Sequence, residues 1–392
     1  MKRARQRIAF LAAAAAAGVA VYFSYNLAAI GLDPYTVFWR REIVPYGMFA
    51  PDQTRFHKTE ALIDRGARFD AVLLSNSRGM MVDARAVDRA TGRRFFNYAV
   101  SADYPLGYEL KAKWLARTRP NVDDYVIMTW IDEFQMAGTN WSNLLAREHY
   151  ALSGESAWSY YWAFTRLPSY DFRKPVTYWL LGLAGRERDS RPVPTGAVDP
   201  ENGNLTTLGL FAGLLDMDAA ARAAHDAKRK DDDPAVFRGR NHVIPLERYH
   251  LVADPLRAPL QRFQMDALAR AVAAVRGAGK RARCVTPPMN AKIVAMIPWK
   301  TYSDWLSEVA AICGGVWDFS IPSTVTRDDF FFTDWSHALP AVVTDAITKV
   351  LGGKPGTFGH LSVFGTFVDP GNVEAYLRDF RRALDTVPRP AR

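Results

Sequence analysis

Cysteine is scarce in this chain: two residues in 392, Cys284 and Cys313. That excludes a disulfide-dense scaffold and a zinc site of four thiolates. His57, His149, His225, His242, His250 and His360 fall at no metal-binding spacing, so neither a metal nor another cofactor is expected. Charge of one sign is in modest excess, with 50 Lys and Arg against 41 Asp and Glu. Four of the cations, Lys2, Arg3, Arg5 and Arg7, precede residue 8 with no acid among them, leaving +5 for the rest. With no zinc-finger or RRM-like motif, nucleic acid is not an expected partner. No internal repeat is evident. Twelve per cent aromatic residues and 23 prolines argue against disorder, coiled coil and collagen, and the length suffices for one large domain or two ordinary ones.

What is present begins with a long apolar run. Ile8 to Leu32 carries no charge over 25 residues. At about 1.5 Å per residue a helix of that length crosses a hydrocarbon core of about 30 Å. The basic cluster ahead of it predicts that 1–32 is a cytoplasmic basic tip and transmembrane anchor, with Tyr22 and Tyr25 near the far interface and the body outside the cytoplasm. The expected location is the inner (cytoplasmic) membrane, single-pass, with the body on the periplasmic side. A cleavable signal peptide is the other reading, because the alanines offer small-residue cleavage sites.

Residues 33–68 read as a stalk or packing extension, interrupted by Pro34, Pro45 and Pro51. From residue 69 short apolar runs alternate with helical patterns. Strands are predicted at Phe69–Leu74, Phe95–Val100, Tyr125–Trp130, Arg283–Thr286 and Gly315–Phe319. Helices are predicted at Leu106–Arg117, 260–276, Thr301–Ile312 and Ala341–Leu351. This rhythm predicts an α/β fold, a three-layer α/β/α sandwich on a parallel sheet occupying 69–392. The stretch from about 136 to 255 breaks the rhythm and is predicted to be an insertion. Its first half is rich in aromatics, including Trp141, Tyr150, Trp158, Tyr160, Tyr161, Trp162, Tyr178 and Trp179. Its second half, Arg186–Asp233, is polar and reads as partly helical or mobile.

In an open α/β sheet, sites form at the carboxyl ends of strands. Three predicted strands end in polar residues: Ser75-Asn76-Ser77-Arg78, Ser101-Ala102-Asp103 and Trp130-Ile131-Asp132. Ahead of the helix at 341 stands Asp334-Trp335-Ser336-His337. An Asp three residues before a His can orient the imidazole, which can then act as base toward a serine. Ser77, Asp334 and His337 thus form a candidate triad, with backbone N–H groups at the Ser77 turn available to an oxyanion.

These blocks resemble the SGNH (GDSL-like) hydrolase superfamily, in its membrane-tethered bacterial branch with proteins of alginate and other polysaccharide O-acetylation. In that branch the first block often reads Gly-Ser-Ser-Arg, and Ser75-Asn76-Ser77-Arg78 is similar, with Ser77 at the nucleophile position. FNYAVSADYP at 96–105 resembles the second block, with Ala102 in place of the usual glycine. FFFTDWSHALP at 330–340 resembles the Asp-x-x-His segment, and TPPMNA at 286–291 and WDFS at 317–320 resemble the family's linkers. The third-block Asn, an oxyanion donor in typical members, corresponds to Ile131.

The resemblance implies acyl-ester chemistry on an envelope or secreted polysaccharide, most directly O-acetyl transfer. Ser77 would be nucleophile, His337 proton shuttle and Asp334 its orienter, with the Ser77 and Ala102 N–H groups as oxyanion donors. It also implies a multi-pass membrane acyltransferase partner supplying the acyl group. The alternatives are a carbohydrate esterase with the same triad and a catalytically silent scaffold of a polysaccharide export or modification complex.

Structural readings stand beside these. Ser77 could cap the helix after the first strand, and Asp334 and His337 could cap the helix at 341. Arg78 could bind an anionic group or pack on its helix, and Asp132 reads as a hydrogen-bond partner. The aromatic cluster could stack on sugars, but core or interface is its commoner use. Cys284 and Cys313 could pair if their strands are neighbours.

Overall fold

The computed structural model describes residues 2–33, 37–38, 54–136, 147–165, 198–205, 208, 258–333, 336–356, 358 and 364–388. The chain divides into two compact units, residues 1–57 with 142–197, and residues 58–141 with 198–392.

In the first unit, helix α1 spans Lys2–Leu32. Its segment Arg5–Gly31 is apolar and long enough to cross a membrane, about 40 Å at 1.5 Å per residue; its most apolar stretch is exposed throughout, while Asn26 and Ala29 near its end are buried. Helix α2 (Thr54–Arg65) starts in this unit and continues into the second. It stands in the segment expected to be a stalk, because the prolines that break helices all lie before it. Helices α5 (Tyr150–Ser153) and α6 (Ala157–Ala163) hold the described part of the aromatic region. There Tyr160 and Phe164 are buried against Phe56 and Val37, so these aromatics form a small core, as their commoner use suggests.

The second unit carries a six-stranded, mostly parallel sheet in the order β2-β1-β3-β4-β5-β6. The strands are β1 (Ala71–Leu74), β2 (Phe95–Asn97), β3 (Asp124–Met128), β4 (Arg281–Thr286), β5 (Val316–Asp318) and β6 (Thr366–Val368). The first three are buried along their whole length, which is why they read as continuous apolar runs rather than alternating ones. All neighbours are parallel except β5 and β6.

Helices α3 (Ala84–Thr91) and α10 (Pro340–Val350) pack on each other, as do α4 (Pro105–Thr118) and α7 (Arg262–Gly277). Between these in sequence lie α8 (Ala291–Val294) and α9 (Trp299–Cys313), and α11 (Val373–Asp385) closes the chain. The main core joins β1, β3 and β2 residues such as Leu73, Val126 and Phe95 to Val87 of α3 and Val343 and Ile347 of α10.

The five strands expected from the sequence are all present; β1, β2 and β5 are shorter than expected, β3 begins one residue earlier and ends two earlier, and β4 begins two residues earlier. Strand β6 and helices α8 and α11 are additions. Cys284 and Cys313 form a disulfide with Cα atoms 6.0 Å apart, tying β4 to the end of α9. Residues 198–205 belong to the stretch expected to be partly helical or mobile. They fold back onto the margin of β2, where Asn97 N–H donates to the Asn202 carbonyl at 2.9 Å and Ala84 N–H to Asn204 Oδ1 at 2.8 Å. The KRKDDD run at 228–233 and the aromatics at 141 and 170–179 lie outside the described residues.

Candidate active site at the carboxyl edge

The chain leaves β1 toward β2 on one side, and β3 lies on the other. That reversal of strand order opens a crevice beyond the carboxyl ends of β1 and β3. Ser77 stands there, two residues past the buried Ser75, and is half-buried. His337 Nε2 is 2.8 Å from Ser77 Oγ, within hydrogen-bond distance for a nucleophile and its base.

Local rules hold both partners. After Ser77 the chain makes a 3-10 turn at Gly79–Met81, and α3 begins only at Ala84, capped by Asp83. Ser77 is therefore not a helix cap. Among the described residues no acceptor takes its N–H, which leaves that group available to an oxyanion. The Asn97 amide pins the turn by donating to the carbonyls of Gly79 (3.0 Å) and Val82 (2.9 Å). Gly79 is required by close approach: a Cβ there would sit 2.4 Å from Ser75 Cβ. Ser75, in the usual glycine position, thus fits because glycine stands four residues later.

His337 comes from a tight loop. Phe332 bridges Ala338, and Thr333 N–H donates to the His337 carbonyl at 2.8 Å. Ser336 Oγ lies 3.0 Å from His337 Nδ1. Helix α10 starts at Pro340 with Leu339 before it and no side-chain cap, so His337 is not a capping residue either. Asp334 lies outside the described residues.

Ala102 has φ +48°, a left-handed conformation that non-glycine residues occupy at a cost. The block that resembles the family's glycine position therefore keeps glycine's backbone without glycine. The turn is held from below by Asp103, whose carboxylate accepts from Lys111 Nζ at 2.6 Å, both side chains buried. Gly107 leaves room for that carboxylate.

Arg78 and Asp132 tie the ends of β1 and β3 together. The guanidinium donates to both Asp132 oxygens, at 3.0 and 2.5 Å, and is only 5% exposed. This favours the structural reading of both residues over a role for Arg78 on substrate. Burial alone would lower the Arg78 pKa, but the Asp132 and Glu133 charges raise it. Ile131, at the third-block Asn position, is fully buried.

Glu133 is the residue that sequence reasoning missed. It is 2% exposed and lies in the 3-10 turn Ile131–Phe134 that follows β3. Asn76 Nδ2 donates to Oε1 at 2.7 Å and Trp130 N–H at 3.2 Å, while Thr129 Oγ1 (2.7 Å) and Tyr108 OH (2.9 Å) donate to Oε2. Burial, with the charge of Asp132, pushes its carboxyl well above the ordinary range. Burial and the facing Glu133 likewise push the Tyr108 phenol well up. Asn76 Oδ1 in turn accepts Arg78 N–H at 3.0 Å, so Glu133 fixes the two residues flanking Ser77.

Among the described residues no group of three or more His, Cys, Asp or Glu side chains could hold a metal ion. What the crevice offers chemically is a serine hydroxyl with an imidazole in contact, a backbone donor beside it and a rigid polar wall. Compared with known proteins, the chain matches no family model and no curated protein.

Proposed function

We propose that this chain is a membrane-anchored acyl-ester enzyme of SGNH type, acting as an O-acetyltransferase on an envelope or secreted polysaccharide. The observation that carries the reading is the 2.8 Å contact between Ser77 Oγ and His337 Nε2 at the carboxyl edge. Ser77 Oγ attacks the acyl carbonyl as His337 Nε2 takes its proton. The tetrahedral oxyanion is met by the N–H groups of Ser77 and Ala102, and the leaving alcohol departs with the proton from His337. A sugar hydroxyl, deprotonated by the same imidazole, then takes the acetyl group from Ser77, whose Oγ leaves with that proton from His337. Asp334 is assigned to orient the imidazole.

The helix pairs α3/α10 and α4/α7 on a mostly parallel sheet support a three-layer α/β/α arrangement. The basic residues before α1 support a cytoplasmic tip. The Cys284–Cys313 disulfide supports a body on the oxidising, periplasmic side. Under this reading a multi-pass membrane acyltransferase delivers the acyl group. A silent scaffold is the second reading, favoured by the buried Ile131 where typical members have an oxyanion donor; losing one such donor costs about 10²–10³ in rate.

The deciding experiment supplies p-nitrophenyl acetate to the full chain with and without a short oligosaccharide. Acetylated sugar formed only with Ser77 intact supports the transferase. Release of acetate alone, unaffected by the sugar, assigns an esterase. No turnover by the wild type assigns the scaffold.

A further inference from the structure

At the opposite end of the sheet the same unit carries a second concavity that the acyl chemistry does not use. A groove of about 400 Å³ runs over the amino ends of β4 and β5. That lies within the ~300–1,000 Å³ typical of small-ligand sites. Its cationic wall is Arg276, Lys280, Arg281 and Arg283, and its aromatic wall is Trp317 and Phe367. The strand register explains this grouping. Arg281 and Arg283 alternate onto one face, and Trp317 pairs with Val285 and Phe367, so both rings share that face.

The cations exceed their anions. The buried Asp124 takes Arg281 through Nε and Nη2 (2.8 and 2.6 Å), Arg283 through Nε (2.9 Å) and, beside the groove, Arg93 at 2.8 Å. Three guanidiniums thus share one carboxylate. Lys280 pairs with Asp123 at 2.7 Å, and Arg276 donates to the Cys313 carbonyl. Arg276 is exposed and half of the Arg281 side chain faces water. The Phe367 ring, 43% exposed, lies over Gly315, where a Cβ would fall 2.2 Å from the ring.

We propose that this groove is a non-catalytic binding site for an anionic sugar unit, a uronate of the acceptor polymer. The exposed aromatic edge suits the apolar face of a pyranose ring, and planar guanidiniums suit its carboxylate. A simple inorganic anion would use the cations but not the rings. The proposal rests on the polysaccharide reading and places the polymer in an acidic class. Such a site at the far end of the sheet would hold a chain whose other residues reach the Ser77 crevice.

The test is calorimetric titration of the full chain in detergent with a short oligoglucuronate, the matching neutral oligoglucoside and inorganic phosphate. Binding of the oligoglucuronate, with the neutral sugar and phosphate each at least tenfold weaker, is the expected result. Arg276→Gln and Phe367→Ala should each weaken it about tenfold, and Ser77→Ala should not. Equal binding of the neutral sugar, equal binding of phosphate, or indifference to both variants overturns the site. Thermal melts identify a variant that fails to fold, and the other variant with the ligand comparison then decides. Binding without acetyl transfer would keep the groove and remove the transferase; transfer without binding would do the reverse.

Discussion

Strand β3 starts at one buried carboxylate and leads into another, and the two are held in opposite ways. Asp124, at its amino end, is fully buried among guanidiniums. Burial pushes its carboxyl up, but the hydrogen bonds of Arg281 and Arg283 and the charge of Arg93 prevail and hold it below the usual range. Glu133, just past the carboxyl end, is met mainly by neutral donors with an acid beside it, and its carboxyl is pushed well up. The difference separates two uses of buried charge. One end neutralises an anion with cations and holds three chain segments together: β3, β4 and the stretch before β2. The other builds a polar lattice around a group whose charge is disfavoured, next to the serine turn. Buried ion pairs cost most when one partner is removed, whereas a carboxyl among neutral donors tolerates an isosteric amide.

The same substitution at both ends breaks or sharpens that contrast. Asp124→Asn should cost about 3 kcal/mol in urea unfolding, because it strands three guanidiniums around a neutral amide. Its pH dependence has a definite sign. A depressed native pKa means that Asp124 stabilises the fold above its unfolded value of about 3.9 and that this contribution is lost as pH falls through the native value. The variant should lack that acid-limb decline.

Glu133→Gln should cost no more than about 1 kcal/mol, since Oε1 can still accept from Asn76 and Trp130. Here the sign is reversed. A raised native pKa means that the folded chain binds more protons, so stability falls as pH rises above about 4.3, and the variant should not show that fall. Under the proposed chemistry its kcat should drop by about tenfold or less with KM nearly unchanged, as for a positioning residue. Equal costs at the two positions would remove the distinction.

The smallest expected effect is at the serine side alone. Ala102→Gly should stabilise the chain by about 0.5 kcal/mol. It relieves a left-handed residue at about 1–2 kcal/mol while adding glycine's unfolded-state entropy. A melting temperature lowered by this change would show that the φ of +48° carries no strain.

Much of the fold is legible in the sequence because the central strands are buried on both faces and so stand out as apolar runs. Strand β6 does not: three residues at an antiparallel edge, with Phe367 outward, carry no run. Helix α11 does carry a stripe, Val373, Tyr376, Phe380 and Leu384, at helical spacing. The residues expected to meet at the crevice were readable as strand ends, and Ser77 and His337 lie 260 positions apart yet in contact. Glu133 was not readable as a partner of the serine turn. Its neighbour Asp132 has the same chemistry, and what separates them is burial by Asn76 and Tyr108, which lie 57 and 25 positions away.

The central claim is that Ser77 is an activated nucleophile. The most direct measurement is intact-protein mass spectrometry of the full chain after exposure to a fluorophosphonate probe, with peptide mapping of the adduct. The account predicts one adduct on Ser77. It should be absent in Ser77→Ala and slowed by about 10² or more in His337→Ala, with both variants melting close to the wild type. An unmodified Ser77 in the folded wild type, or labelling indifferent to His337, would contradict it.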